Sequence, residues 1–226
     1  MLSITSEALR ASGLFQRDRT DIHTRALGIV LYHLGLSLRD TSLVLRHSRS
    51  HEAIRKWYLR ASSLFDVQRA PRRVIAIDES KIKIEGQWRY LWAAIDVDTW
   101  EVLAVWITRG RSGLEARMFL RRVLRKCRGR PRVLVDGGPW YRWALDSLGL
   151  PWEHVTFGER NPVEQWFGIL KQRIKRFYKR WPHNATVAQA QLWIESFVAL
   201  YHIKRLAEAL SWVKTFLLRR DGGCTL

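Results

Sequence analysis

Between Val74 and Ile107 three apolar runs follow one another with only short turns between them. Val74-Ile75-Ala76-Ile77 ends at Asp78, Leu91-Trp92-Ala93-Ala94-Ile95 ends at Asp96, and Val102 to Ile107 completes the set. Short apolar runs bounded by turn residues, here Glu85-Gly86-Gln87 and Asp98-Thr99, read as strands. A parallel return would need a crossover of about a dozen residues, so connections this short join antiparallel neighbours. The sequence therefore predicts an antiparallel meander at the centre of the fold.

The elements after it alternate. A helix is expected from Gly113 to Arg125, then a fourth strand at Arg132-Val133-Leu134-Val135, which ends at Asp136-Gly137-Gly138. A helix near Trp140–Leu148, a short strand near His154–Phe157 and a strong helix from Pro162 follow. Strand, strand, strand, helix, strand, helix, strand, helix is the order of a ribonuclease-H-like domain, an α/β fold with a mixed sheet and flanking helices.

Upstream the chain reads as all-α. From Asp21 to Leu34 the apolar positions Leu27, Val30, Leu31 and Leu34 recur at helical spacing, and Gly35 stops the helix. Ser37 with Asp40 gives a capping signal for a second helix, about Leu38 to Leu45, followed by a polar turn at His47–Arg49. Ser50 caps a third, on which Ile54, Trp57, Tyr58 and Ala61 face inward. Two short helices with a tight turn and a basic second helix suit a helix-turn-helix reading the major groove. His51, Arg55 and Lys56 would then meet DNA, with the Arg55 fork matched to guanine. An ordinary three-helix cap with a solvated outer face fits the same pattern. The expected organisation is an unassigned segment at 1–19, a helix-turn-helix domain at 20–65, a linker at 66–73 around Pro71, a ribonuclease-H-like catalytic domain at 74–210 and a tail at 211–226.

Charge narrows the partner. The 226 residues include 39 Lys and Arg against 21 Asp and Glu, a formal net charge of +18. With 47% hydrophobic residues this is a globular composition and not a disordered basic tail. Its partner is expected to be a polyanion, most simply nucleic acid. The excess concentrates in residues 20–65, 109–132 and 165–205, with nets of +4, +9 and +7. No apolar run approaches the roughly 18 residues of a membrane span, and no secretory pattern opens the chain. Two cysteines, Cys127 and Cys224, are too few for a disulfide scaffold or a zinc site. A cytoplasmic location, at the nucleoid, is the expectation.

The acids carry the chemistry. Asp78 and Asp136 each follow an apolar strand, and strands that end together bring such carboxylates close. Glu164 stands in the first turn of the helix begun by Asn161-Pro162, where it can also be the reciprocal acid of a capping box. Behind it Val163, Trp166, Phe167, Leu170, Ile174 and Phe177 form an apolar stripe, while Glu164, Gly168, Lys171 and Lys175 share another face. Carboxylates from separate elements are the ligands that two magnesium ions need, with manganese as a substitute. Glu79 is expected on the opposite sheet face, and Asp96 and Asp98 as turn residues. Trp140 and Tyr141, just after Gly138-Pro139, are candidates for stacking on an unpaired base, or for packing under a loop. Trp88, Trp92, Trp106 and Trp166 are expected in the core.

Four strings carry a family resemblance: SHEAIRKW at 50–57, IDESKIKIEGQWRYLWAAIDVDT at 77–99, VLVDGGPWY at 133–141 and ERNPVEQWFGILKQRIKRFY at 159–178. Their order resembles prokaryotic insertion-sequence transposases of the DDE type, in particular the insertion-sequence-six family. The resemblance implies that Asp78, Asp136 and Glu164 are the catalytic, metal-binding triad. It also implies that Lys171 matches the basic residue seven positions after the family's catalytic Glu. A polynucleotidyl transferase acting on terminal inverted repeats and target DNA, as a homodimer or larger assembly and by a replicative route, would follow. One departure stands out: 57 residues separate Asp78 from Asp136, but only 27 separate Asp136 from Glu164, fewer than is usual in the family. Glu159 is the rival third acid.

Overall fold

The computed structural model describes residues 1–15, 19–46, 49–155, 161–175, 181 and 185–221, the last stretch with side chains through Trp212. It divides the chain into two compact units, residues 1–65 with 192–226 and residues 66–191.

The first unit is helical. Its N-terminal part comprises α1 (Leu2–Ala11), α2 (Ile22–Leu34), α3 (Leu38–Val44) and α4 (His51–Arg60). Three of these begin on side-chain caps. Asp21 accepts the Thr24 amide at 2.8 Å, Ser37 that of Asp40 at 3.0 Å and Ser50 that of Ala53 at 3.2 Å. Each satisfies a backbone donor that has no partner within its helix. On α4 the expected inward residues Ile54, Trp57, Tyr58 and Ala61 are all buried. On α2 the inward face differs in part from expectation. Val30 is buried as expected and Leu27 and Leu31 are half-buried, but Ala26, Ile29, Tyr32 and His33 are buried too while Leu34 is exposed. Arg25 is buried too, with its guanidinium 4.5 Å from the Phe15 ring and 5.7 Å from that of Trp57. The segment expected to be unassigned thus contains α1 and supplies Leu9 and Phe15 to this core.

The long helix α8 (Val187–Asp221) contributes its residues from 192 onward to the same unit. Trp193, Ile194, Phe197 and Val198 are buried, Trp193 Nε1 donates to the Tyr32 hydroxyl at 3.2 Å, and Ser196 Oγ donates to the Tyr58 carbonyl at 2.6 Å. Residues 192–210, expected in the catalytic domain, therefore group with the N-terminal helices.

The second unit holds a five-stranded sheet of order β4-β3-β2-β6-β7: β2 (Val74–Ile84), β3 (Gln87–Asp96), β4 (Val102–Thr108), β6 (Arg132–Val135) and β7 (Trp152–His154). The first three pair antiparallel and β6 and β7 add in parallel, giving the mixed sheet with flanking helices that the element order implied. A separate parallel pair joins β1 (Ala70–Pro71), within the stretch expected to be a linker, to β5 (Cys127–Arg128). The β2–β3 hairpin closes on Glu85-Gly86, at φ 52° and 76°. Positive φ at both central residues defines the type I′ turn that matches strand twist. This hairpin runs past its neighbours, so Trp88, opposite Lys83 and beyond the first β3–β4 pair at Tyr90, is exposed rather than in the core. Trp92 and Trp166 are fully buried, as expected, and Trp106 is half-buried.

Helices α5 (Gly113–Leu124) and α6 (Pro139–Ser147) meet the sheet at Trp92, whose ring lies 5.9 Å from Phe119 and 5.8 Å from Tyr141. A reciprocal Ser112–Glu115 capping box starts α5. Helix α7 (Asn161–Lys175) packs against β2 and β3. At the edge of the sheet Gln191 accepts the Ile107 amide at 2.9 Å and donates to the Val105 carbonyl at 3.1 Å, which occupies edge-strand groups of β4. Asp96 is a structural residue: it is buried, accepts Arg72 at 2.9 Å, and receives the Asp98 and Thr99 amides of the turn. Exposed Asp98 pairs with Arg73. Among the described residues no helix is long and apolar enough to cross a membrane.

Candidate active site

Asp78 lies in the middle of β2, not at its end, since pairing with β3 continues six residues further to Ile84. Pairing with β6 is what stops beside it. The parallel register ends at Ala76 opposite Leu134, so two residues on Asp78 comes level with Asp136, the first residue past β6. Neighbouring strands lie about 4.8 Å apart, so the two carboxylates leave the sheet one strand spacing from each other. Sequence reasoning placed them together correctly but for the wrong reason: one strand ends and the other continues.

The Asp136 loop is shaped by glycine. Asp136 accepts the Gly138 amide at 3.1 Å, and Gly137 sits at φ 80°. A Cβ on Gly137 would fall 2.8 Å from His154 Nε2, and one on Gly138 2.4 Å from the Trp140 ring. The loop therefore passes between β7 and the start of α6 with no room for side chains. Asp78 accepts the following Glu79 amide at 2.8 Å.

Glu79 does point away from Asp78, as strand alternation requires, but it is not idle. Its side chain is 2% exposed, receives the Tyr141 hydroxyl at 2.5 Å and the Arg111 guanidinium at 3.1 Å. Burial pushes its carboxyl pKa up; the Tyr141 hydrogen bond pulls it down, the charge of nearby Asp136 raises it again, and Arg111 lowers it. Burial, then Glu79, drives the Tyr141 phenol well above its ordinary value. Tyr141 is thus a core residue under the site. The expectation that it stacks on DNA is corrected, because a side chain 1% exposed and edge-on to Trp92 has no face to offer. Trp140 is half-buried with the Arg111 guanidinium 3.8 Å from its ring centre, so a cation already covers that ring.

Glu164 stands exposed in the first turn of α7, while Val163, Trp166, Phe167 and Leu170 are buried as the stripe predicted. Gly168, Lys171 and Lys175 are exposed with it. Phe177 and the rival acid Glu159 lie outside the described residues. Among the described residues no three His, Cys, Asp or Glu side chains converge closely enough to hold a metal ion. The register brings Asp78 level with Asp136, and Glu164 stands on α7, which packs against β2 and β3. The donor set still fits a hard divalent cation, since every candidate ligand is a carboxylate and neither Cys nor His is among them.

On α4, His51 and Lys56 are exposed. Arg55 is engaged: its Nε and Nη2 donate to the two Glu52 oxygens at 2.8 and 2.7 Å, which also lowers the Glu52 pKa. The Glu79–Arg111–Trp140 linkage escaped sequence reasoning. A glutamate on a buried strand face demands a cation, but the 109–132 stretch offers ten and their spacing does not say which one turns inward.

The chain is 40% identical over 217 residues to an uncharacterized protein of Methanocaldococcus jannaschii, covering 95% of this chain and 97% of that one. It is 29% identical over 142 residues to the transposase for insertion sequence-like element IS431mec of Staphylococcus aureus, covering 59% of this chain and 62% of that protein. Among solved structures, the magnesium complex of the HTLV-2 integrase catalytic core aligns at 16% identity and a TM-score of 0.38, over 49% of this chain and 74% of that one. The family model described as a DDE domain, of the IS240 transposase group, matches residues 73–205, which include both aspartates and Glu164. That match spans more than half of the chain, which therefore belongs to the DDE transposases of the insertion-sequence-six kind and is a polynucleotidyl transferase.

Proposed function

We propose that this chain is the transposase of an insertion sequence, which binds terminal inverted repeats, cleaves at the element's ends and joins the freed 3′-hydroxyls to target DNA. The observation that carries the reading is the Asp78–Asp136 pair, level on neighbouring strands beside an open edge of β2. Asp78, Asp136 and Glu164 would hold two divalent ions, magnesium or manganese. Bound there, such ions activate the attacking oxygen and stabilise the leaving one. Glu164 would join the two aspartates from the first turn of α7.

Residues 20–65 would read the ends. His51 and Lys56 meet phosphate, and Arg55 exchanges Glu52 for guanine acceptors. Lys171 and Lys175, exposed along the Glu164 face of α7, would hold backbone on either side of the scissile bond. In each step a phosphorus–oxygen bond forms to water or to a 3′-hydroxyl, the opposite phosphorus–oxygen bond breaks, and the leaving oxygen takes a proton. No side chain becomes covalently attached. Two ends must be held at once, so the working unit is a homodimer or larger, acting at the nucleoid.

The test is a strand-transfer assay with the full chain, magnesium and DNA carrying the element's ends. Asp78→Asn, Asp136→Asn and Glu164→Gln should each abolish products joined to target while end binding persists. That no three acids converge into a metal-holding group among the described residues favours a second reading, a DNA-binding regulator derived from a transposase. End binding without joined product in the wild-type chain would establish it, and nicked but unjoined DNA would point to a nuclease.

A further inference from the structure

The +9 stretch at 109–132 has no role in the scheme above, yet one of its residues reaches the site. Arg111 lies in the turn between β4 and α5, immediately before the Ser112 cap. Three neighbours fix its guanidinium: Glu79 accepts Nη1 at 3.1 Å, the Trp140 ring centre lies 3.8 Å away and that of Tyr90 5.1 Å away. Glu79 is the residue after Asp78. Trp140 packs against Gly138 in the Asp136 loop. Arg111 thus touches the immediate surroundings of both aspartates.

A counter-ion for buried Glu79 would account for part of this. It does not account for how little of the guanidinium is used. Arg55 shows what a dedicated carboxylate partner looks like in this chain, with two parallel bonds to Glu52. Arg111 gives Glu79 a single N–H, because Tyr141 already serves the other oxygen. Its side chain remains 33% exposed, and among the described residues its other N–H groups have no acceptor. The indole N–H of Trp140 is likewise buried without an acceptor among them, so this platform is held by ring faces and close packing. A fork held 3.8 Å over an aromatic ring, with only one N–H engaged among the described residues, loses little freedom on binding a planar or tetrahedral anion. Asp78 and Asp136 also place two carboxylates where the proposed reaction brings a DNA strand, and phosphate needs cations nearby.

We propose that Arg111 is a substrate-binding residue that grips a DNA backbone phosphate next to the scissile one, with Glu79 and Trp140 as the positioning residues that aim it. This rests on the transposase reading and names a contact of that same site. The contact is to backbone and carries no sequence information.

The test is the salt dependence of DNA binding by the full chain, read by fluorescence anisotropy on a labelled duplex of random sequence, with calcium replacing magnesium. Losing one phosphate contact lowers the slope of log K against log salt by about 0.9 on duplex DNA. Arg111→Ala should show that loss and Arg111→Lys should not. The double variant Glu79→Gln/Arg111→Ala removes both partners, so no unpaired buried carboxylate remains to unsettle the fold, and it should show the same reduced slope. A wild-type slope in Arg111→Ala, or its recovery in the double variant, overturns the proposal and leaves Arg111 a structural clamp. A wild-type chain that binds no DNA removes the transposase reading itself, which makes the two failures distinct.

Discussion

Replacing Gly137 by alanine isolates what the Asp136 loop requires. Two costs arise. The backbone sits at φ 80°, where a Cβ costs about 1–2 kcal/mol in an L-residue. The new methyl would also meet His154 Nε2 at 2.8 Å, but His154 is exposed and its ring can swing aside, so the steric part adds little to stability. Gly86 provides the control: its φ is 76° and nothing lies within 4 Å of a Cβ there. Both Gly137→Ala and Gly86→Ala should therefore lose about 1–2 kcal/mol in urea unfolding monitored by tryptophan fluorescence. Activity should separate them. Gly86 closes a hairpin remote from the aspartates, whereas Gly137 carries Asp136, and a misplacement of about 1 Å in a catalytic group can cost on the order of 100-fold. Gly137→Ala should lose strand transfer by that order while Gly86→Ala keeps it. Adding His154→Ala should restore little stability, because the backbone cost remains. Equal activity in the two alanine variants would refute the idea that this loop positions a catalytic carboxylate.

Other consequences follow from burial. His202 is held neutral, its pKa pushed down to about 4 chiefly by burial and secondarily by Arg205. The unfolded chain binds that proton at a pKa near 6.5 and the folded one only near 4, so stability falls as pH drops through this window and levels off below it. The contribution is up to about 3 kcal/mol, and His202→Gln should flatten the pH dependence of unfolding between those values. Arg72, with its side chain 5% exposed between Asp96 and Glu101, should be costly to lose: Arg72→Met leaves buried Asp96 unpaired, at about 3–5 kcal/mol in denaturant unfolding. Adding Asp96→Asn should recover part of that, and a loss of strand transfer out of proportion to stability in Asp96→Asn alone would contradict its structural role. Cys127 is buried and burial pushes its thiol pKa up, so thiol reagents should reach it only on unfolding.

The sheet was legible because apolar runs and tight turns leave few ways to connect strands, and the caps at Ser37 and Ser50 were legible because capping is local chemistry. Register was not legible. That Asp78 lies mid-strand depends on how far the β2–β3 hairpin outruns β6, which no residue of β2 announces. The burial face of α2 and the exposure of Trp88 failed for a related reason, since an apolar residue is buried only if a neighbour arrives to cover it. Residues 192–210 are expected with the catalytic domain because they follow it in the chain, whereas Trp193, Phe197 and Ser196 bond and pack with Tyr32, His33 and Tyr58, over a hundred positions earlier. The proposed acids stand out by place and by resemblance. Their partners, Tyr141 and Arg111 on Glu79, emerge only when three elements meet.

The central proposal is that Asp78, Asp136 and Glu164 form one divalent-metal site. Titrating the full chain with manganese and reading bound metal by electron paramagnetic resonance tests it directly. The account predicts binding in the wild type, with sharp losses in Asp78→Asn, Asp136→Asn and Glu164→Gln. Wild-type affinity in Glu164→Gln would contradict the triad, and no manganese binding in the wild type would contradict the metal-dependent mechanism as a whole.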